Sequence, residues 1–131
     1  ASRIYRSNTD EISKFLKSGG IPIIPGFQGV SNIFRLTTIG RGGSDASAVA
    51  IAKFFDADFC EIYTDVEGVY TTNPNMHSQA KKIDKISYEE ILEMASLGTK
   101  IMQASAVQIA MLNNISIHVR STFSEKEGTK I

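Results

Sequence analysis

The run Thr37-Thr38-Ile39-Gly40-Arg41-Gly42-Gly43-Ser44-Asp45 carries the densest chemistry in the chain. Its glycines let backbone N–H groups approach a ligand with no Cβ in the way. The Ala-rich stretch that follows predicts a helix, whose N-terminus adds free N–H donors and partial positive charge. Arg41 adds a planar fork suited to a carboxylate or a phosphate, so the run reads as an anion site. The plain structural alternative is a tight strand-to-helix turn with Ser44 or Asp45 as N-cap.

Two other segments carry candidate groups. In Thr64-Asp65-Val66-Glu67-Gly68-Val69-Tyr70, a hydroxyl and a carboxylate follow a predicted strand, where they can hydrogen-bond a base or a ribose. Tyr70 offers an aromatic face with a polar tip. The alternative there is an Asx-turn followed by a core tyrosine. Lys100, just after Gly98, falls in the first turn of a predicted helix, where a cation opposes the helix dipole unless an anion lies beside it. The alternative is a solvated lysine. His77 and His118 read as structural or solvent-facing, Met94, Met102 and Met111 as core filler, Lys81-Lys82 as a solvated turn, and Cys60 as an inert core thiol. A dinucleotide fingerprint would need glycine at position 45, which is Asp45, and the P-loop pattern is absent.

The elements that must position these groups alternate between helix and strand. Residues 2–6 predict a short strand. Ile12, Phe15 and Leu16 predict a helix over 9–17, stopped by Ser18-Gly19-Gly20. Ile21 to Pro25 predicts a buried strand, residues 29–39 a hairpin turning at Ser31-Asn32, and Ser44 to Phe55 a helix. A strand over 57–64 leads into a long excursion, Asp65 to Lys85, of the kind that is usually functional. Ser87 and Glu90 form a capping-box pattern for a helix ended by Gly98. A helix from about Lys100 to Leu112 and a strand over 115–120 follow, and Gly128 to Ile131 could begin another strand. The pattern predicts an α/β fold with a mostly parallel sheet sandwiched by helices in Rossmann-like layering. In such sheets ligands bind beyond the carboxyl ends of the strands, where all three candidate segments fall.

Composition narrows the classes. At 131 residues the chain holds one core. Fourteen basic and fourteen acidic residues cancel, which argues against a nucleic-acid or membrane-surface partner. No apolar run approaches the ~20 residues that span a bilayer. A single cysteine and the lack of a leader fit a reducing cytoplasm, and two separated histidines make no metal cluster.

Taken together, Ile21 to Gly29, Thr37 to Asp45, Glu61 to Tyr70, Lys85 to Glu90 and Ala95 to Lys100 resemble the aspartokinases of the amino-acid kinase family. The resemblance runs on to Val119-Arg120-Ser121 and Gly128-Thr129. It implies transfer of the γ-phosphoryl group of Mg-ATP to the side-chain carboxylate of L-aspartate, giving 4-phospho-L-aspartate for lysine, threonine and methionine synthesis. It implies ATP and Mg²⁺ as cofactors and a cytoplasmic homo-oligomer. In this resemblance Arg41 grips an aspartate carboxylate, Ser44 lies beside the same substrate, and Asp45 helps organise the catalytic centre. Thr64, Asp65, Tyr70 and Lys100 contact the nucleotide. No metal ligand is assigned.

The family's N-terminal Lys-Phe-Gly-Gly-type segment has no match, because Lys14-Phe15 and Lys17 to Gly20 belong to the first helix and its end. Regulatory domains expected after the kinase domain are also absent. The expectation is therefore a partial domain: residues 1–131 as the C-terminal, nucleotide-binding half of the kinase domain, inactive alone. Asn73-Pro74-Asn75 stands where the family often has Asp-Pro-Arg, and Met102-Gln103-Ala104-Ser105 where many members have His-Pro, although some carry glutamine. Two other expectations stand beside this one. They are a related kinase with another acceptor, and a nucleotide-binding or regulatory module without chemistry.

Overall fold

A computed structural model describes residues 9–98 and 102–131. The predicted strand over 2–6, and Lys100 itself, lie outside the described residues. The described chain is an α/β arrangement in the order α1 (Asp10–Lys17), β1 (Gln28–Val30), β2 (Leu36–Thr38), α2 (Gly43–Phe54), β3 (Cys60–Thr64), α3 (Tyr88–Ser96), α4 (Ala104–Asn113), β4 (Ile117–Ser121) and β5 (Thr129–Lys130).

β3 and β4 pair in parallel, from Cys60 opposite Ile117 to Thr64 opposite Ser121. β5 adds antiparallel to β4, with Val119 opposite Thr129, and β1 and β2 form a separate antiparallel hairpin. Alternation along β4 sends Ile117, Val119 and Ser121 into the core. His118 and Arg120 share the other face with Glu61 and Tyr63 of β3. There the Glu61 carboxylate accepts from Arg120 Nη1 at 3.0 Å and from Tyr63 Oη at 3.0 Å, with His118 Nδ1 at 3.6 Å. Arg120 holds the Glu61 carboxyl below its ordinary range, while burial and then Arg120 push the His118 imidazole down.

Small side chains let two helices close over the buried face. α2 contributes Ala46, Val49 and Ala52 to the core, and α4 contributes Ala106, Val107 and Ala110. α3 follows its sequence signature: Ser87 Oγ accepts from Glu90 N–H at 3.2 Å, and the Glu90 carboxylate accepts from Ser87 N–H at 2.8 Å. Gly98, at φ +98°, lies just beyond the α3 C-cap Leu97.

Several elements differ from expectation. Ile21 to Pro25 is irregular, with Ile21 85% and Ile23 95% exposed. Pro22 and Pro25 offer no N–H to a ladder, and no described strand lies beside them. The hairpin tip spans Ser31 to Arg35 rather than two residues, because Ser31 N–H donates to the Arg35 carbonyl at 2.9 Å while Phe34 takes φ 59°. Neither Ser44 nor Asp45 caps α2: Gly42 is the N-cap at φ 72°, so both residues sit inside the first turn. α4 begins at Ala104 with Gln103 as an extended N-cap, so position 100 precedes it rather than occupying its first turn. β3 begins at Cys60 rather than Ala57, because Ala57 N–H turns back to Ala52 at 2.9 Å. Lys82 is no solvated turn residue: its amine donates to Asp84 at 2.6 Å and to the Gly128 carbonyl at 3.0 Å.

One buried hydroxyl ties the long excursion to the sheet. Thr129, fully buried, accepts from Val69 N–H at 2.8 Å and donates to the Ile83 carbonyl at 2.5 Å. Thr129→Val keeps the shape and strands both partners, so unfolding by urea should read a loss of about 2–4 kcal/mol. Unchanged stability would show that neither bond matters. A second outcome concerns acid. Above pH 6.5, the ordinary histidine value, His118 is neutral folded or unfolded. As pH falls through that value the unfolded chain takes up its proton first, so stability drops until the folded group also protonates. His118→Gln should flatten the stability profile as pH falls through 6.5 and below.

Candidate functional site

At the carboxyl end of β3 the chain opens a cleft of about 560 Å³. Thr64 and Asp65 form its base, where Thr64 Oγ1 donates to Asp65 Oδ1 at 3.1 Å. Val66, Gly68 and Tyr70 continue one wall, residues 71–76 form the rim, and Leu97 and Gly98 at the end of α3 close the far side. Gly68 is required by its backbone. Its φ of +144° is a region L side chains rarely adopt, and a Cβ there would lie 2.6 Å from Thr129 Oγ1.

Tyr70 is held at this wall from two sides. Its backbone bridges antiparallel to Lys82, and its hydroxyl donates to Glu67 Oε2 at 3.3 Å. Lys126 reaches the same carboxylate at 2.9 Å and keeps the Glu67 carboxyl below its ordinary range. Burial, and then the Glu67 charge, push the Tyr70 phenol up, so it stays a neutral donor. On the rim, Asn73 folds the chain back on itself: its side-chain oxygen accepts from Asn75 N–H at 2.9 Å, and its carbonyl accepts from His77 N–H at 3.0 Å.

The glycine turn forms a second cluster. Gly40 and Gly42 take φ +99° and +72°, and Gly43 N–H closes the turn onto the Gly40 carbonyl at 2.9 Å. Ser47 Oγ braces it from below, donating to Gly43 O at 2.6 Å and accepting from Phe27 N–H at 3.3 Å. Arg41 and Ser44 are exposed and Asp45 is half-buried. Among the described residues no carboxylate pairs with Arg41. Asp45 Oδ2 accepts from the backbone N–H of Gln103 at 3.4 Å, which joins the starts of α2 and α4. An exposed guanidinium beside a helix N-terminus can hold an anion, and the polar cleft with its aromatic wall can hold a flat, polyhydroxylated ligand.

The structure thus gathers Thr64, Asp65 and Tyr70 in one cleft and Arg41, Ser44 and Asp45 at one turn. The cleft lining includes none of the second group. The role of the Thr129 hydroxyl was not legible locally, since a threonine at a strand start is commonplace. The contact of Gln103 with the glycine turn was equally hidden.

With this geometry in place, comparison with known proteins assigns the class. The model of the amino acid kinase family matches residues 1–121, and the chain belongs to that family. It is 48% identical over 130 residues to the aspartokinase of Pseudomonas aeruginosa, covering 99% of this chain and 32% of that protein. The aspartate kinase of Synechocystis superposes with a TM-score of 0.80 at 46% identity, over 93% of this chain and 20% of that one. Aspartokinase III of E. coli, solved in complex with aspartate and ADP in the R-state, superposes with a TM-score of 0.82 at 37% identity, over 92% of this chain and 27% of its own. The chain spans about a third (32%) of the length of its Pseudomonas aeruginosa relative.

Gly68→Ala tests whether the cleft wall depends on this backbone. The added Cβ meets Thr129 Oγ1, so the expected result is a destabilisation of about 2 kcal/mol and faster amide exchange at Val69. Native-like exchange there would show that the wall is held by other contacts.

Proposed function

We propose that this chain is the C-terminal, nucleotide-binding half of the catalytic domain of an aspartate kinase. The parent protein would transfer the γ-phosphoryl group of ATP to the side-chain carboxylate of L-aspartate, as the first step toward lysine, threonine and methionine. The observation that carries this reading is the cleft at the carboxyl end of β3, lined by Thr64, Asp65 and Tyr70, in a chain similar to an aspartokinase solved with aspartate and ADP. The 131-residue chain alone is expected to be inactive, in a cytoplasmic protein that assembles as a homo-oligomer.

In this reading Thr64 and Asp65 take the polar edges of the nucleotide and Tyr70 lies against it. Lys100 reaches its phosphates. Arg41 holds an aspartate carboxylate, Ser44 lies beside the same substrate, and Asp45 helps organise the catalytic centre. The acceptor carboxylate has an ordinary pKa of about 3.9, so it is already ionised at neutral pH and needs no general base. The barrier is instead the repulsion between an anionic acceptor and an anionic phosphate chain. Positioned positive charge lowers it: Arg41, Lys100 and the N–H groups at the start of α2. Asp65 is the one carboxylate in the cleft lining, and Mg²⁺ is commonly held by one or two carboxylates together with waters and phosphate oxygens. With the nucleotide bound, that ion would offset the phosphate charge.

The two clusters should separate by ligand in the full-length protein. Asp65→Ala should weaken ATP binding about tenfold or more and leave aspartate within about threefold, and Arg41→Ala should do the reverse. Calorimetry with each ligand reads both. Equal losses of both ligands in folded variants would count against the assignment. Phosphorylation of a different carboxylate, or of a phosphate acceptor, would make the protein a related kinase. Nucleotide binding with no transfer to any acceptor would make it a binding module.

A further inference from the structure

Gln103 touches the glycine turn in two ways. Its backbone N–H donates to Asp45 Oδ2 at 3.4 Å. Its side-chain stem lies on the bare α-carbon of Gly42: a Cβ at Gly42 would fall 2.6 Å from Gln103 Cβ and Cγ and 2.8 Å from Cδ. The stem therefore fills the space that any side chain at position 42 would take.

Gly42 is the joint of this turn. It is the N-cap of α2, it adopts φ 72°, and it follows Arg41 directly. A glycine has more backbone freedom than any other residue, and the direction of the Arg41 guanidinium follows from the torsions of its neighbour. A side chain packed on Gly42 restricts that freedom, although Gln103 itself faces solvent. Gln103 is also the N-cap of α4, and in the sequence it stands three residues after Lys100. One residue thus joins the turn that carries Arg41, Ser44 and Asp45 to the start of α4.

We propose that Gln103 is a positioning residue for the transfer step, setting the acceptor turn against the start of α4 and hence against the phosphate donor. This rests on the kinase reading above. Its effect belongs to the chemical step rather than to the binding of either substrate. Reacting atoms must come within a narrow distance, and a displacement of about 1 Å can cost about a hundredfold in rate while each ligand still fits its own subsite.

The test compares Gln103→Ala and Gln103→Met in the full-length protein, with kcat expressed per nucleotide-binding site titrated by calorimetry. Gln103→Ala removes Cγ and Cδ, and Gln103→Met keeps an unbranched stem on Gly42. The expected result for Gln103→Ala is a fall in kcat of about tenfold or more, with KM for aspartate and for ATP within about threefold. Gln103→Met should stay within about threefold of the wild type in kcat. Unchanged kcat in Gln103→Ala, or an equal fall in both variants, would overturn the proposal. So would a loss of activity matched by a loss of nucleotide sites, which would make the role purely structural. A wild-type protein that binds nucleotide but never phosphorylates aspartate would sink the kinase reading, and this inference with it.

Discussion

The parallel pairing of β3 with β4 governs the rest of the molecule. Parallel neighbours cannot be joined by a tight turn, so the chain that leaves β3 at Thr64 must travel back before it can re-enter the sheet at Ile117. That return holds the excursion after Asp65, α3 and α4. It begins at the carboxyl edge of β3, where Thr64 and Ser121 end in register, and every lining residue of the cleft beyond Thr64 belongs to it. The cleft is therefore a consequence of the crossover.

A long segment with little periodicity needs an anchor of its own, and β5 supplies one. It pairs at only two residues, yet Thr129 satisfies two backbone groups of the excursion, and the Lys82 amine takes the Gly128 carbonyl beside it. Such close approach is possible because Gly128 has no side chain: a Cβ there would lie 1.6 Å from the Val119 carbonyl oxygen. The wall that carries Tyr70 is thus fixed by residues almost sixty positions away. Its charges are matched locally, Glu67 by Lys126 and Asp84 by Lys82.

The glycine turn solves a different problem. The first turns of α2 and α4 lie side by side, joined at Asp45 and Gln103, with their positive ends close together. Asp45 lies between them and offsets part of that charge, while Arg41 stands outward on a joint only glycine adopts easily. For the proposed transfer between two anions, such opposing signs would concentrate positive charge without drawing the turn shut on its own carboxylate.

Much of this was legible in the residues. The i, i+3, i+4 spacing of Ile12, Phe15 and Leu16 marks α1. Ser87 and Glu90 mark the start of α3, Gly98 its end, and the Thr64–Tyr70 run a strand end with polar groups beyond it. These are local signals, carried by neighbours within a turn or two. Where the signal depended on a partner, the sequence misled. Ile21 to Pro25 has the composition of a buried strand and no described strand beside it, while Ser44 and Asp45 have the chemistry of N-caps and yield that place to Gly42. By itself the sequence determined the types of most elements and which chemical groups lie at their ends, because capping, turn chemistry and hydrophobic period act over a few residues. Only the tertiary structure decided that Thr129 braces the cleft and that Gln103 closes on Gly42. Both contacts join residues about sixty positions apart, and nothing in either partner's local sequence encodes the other.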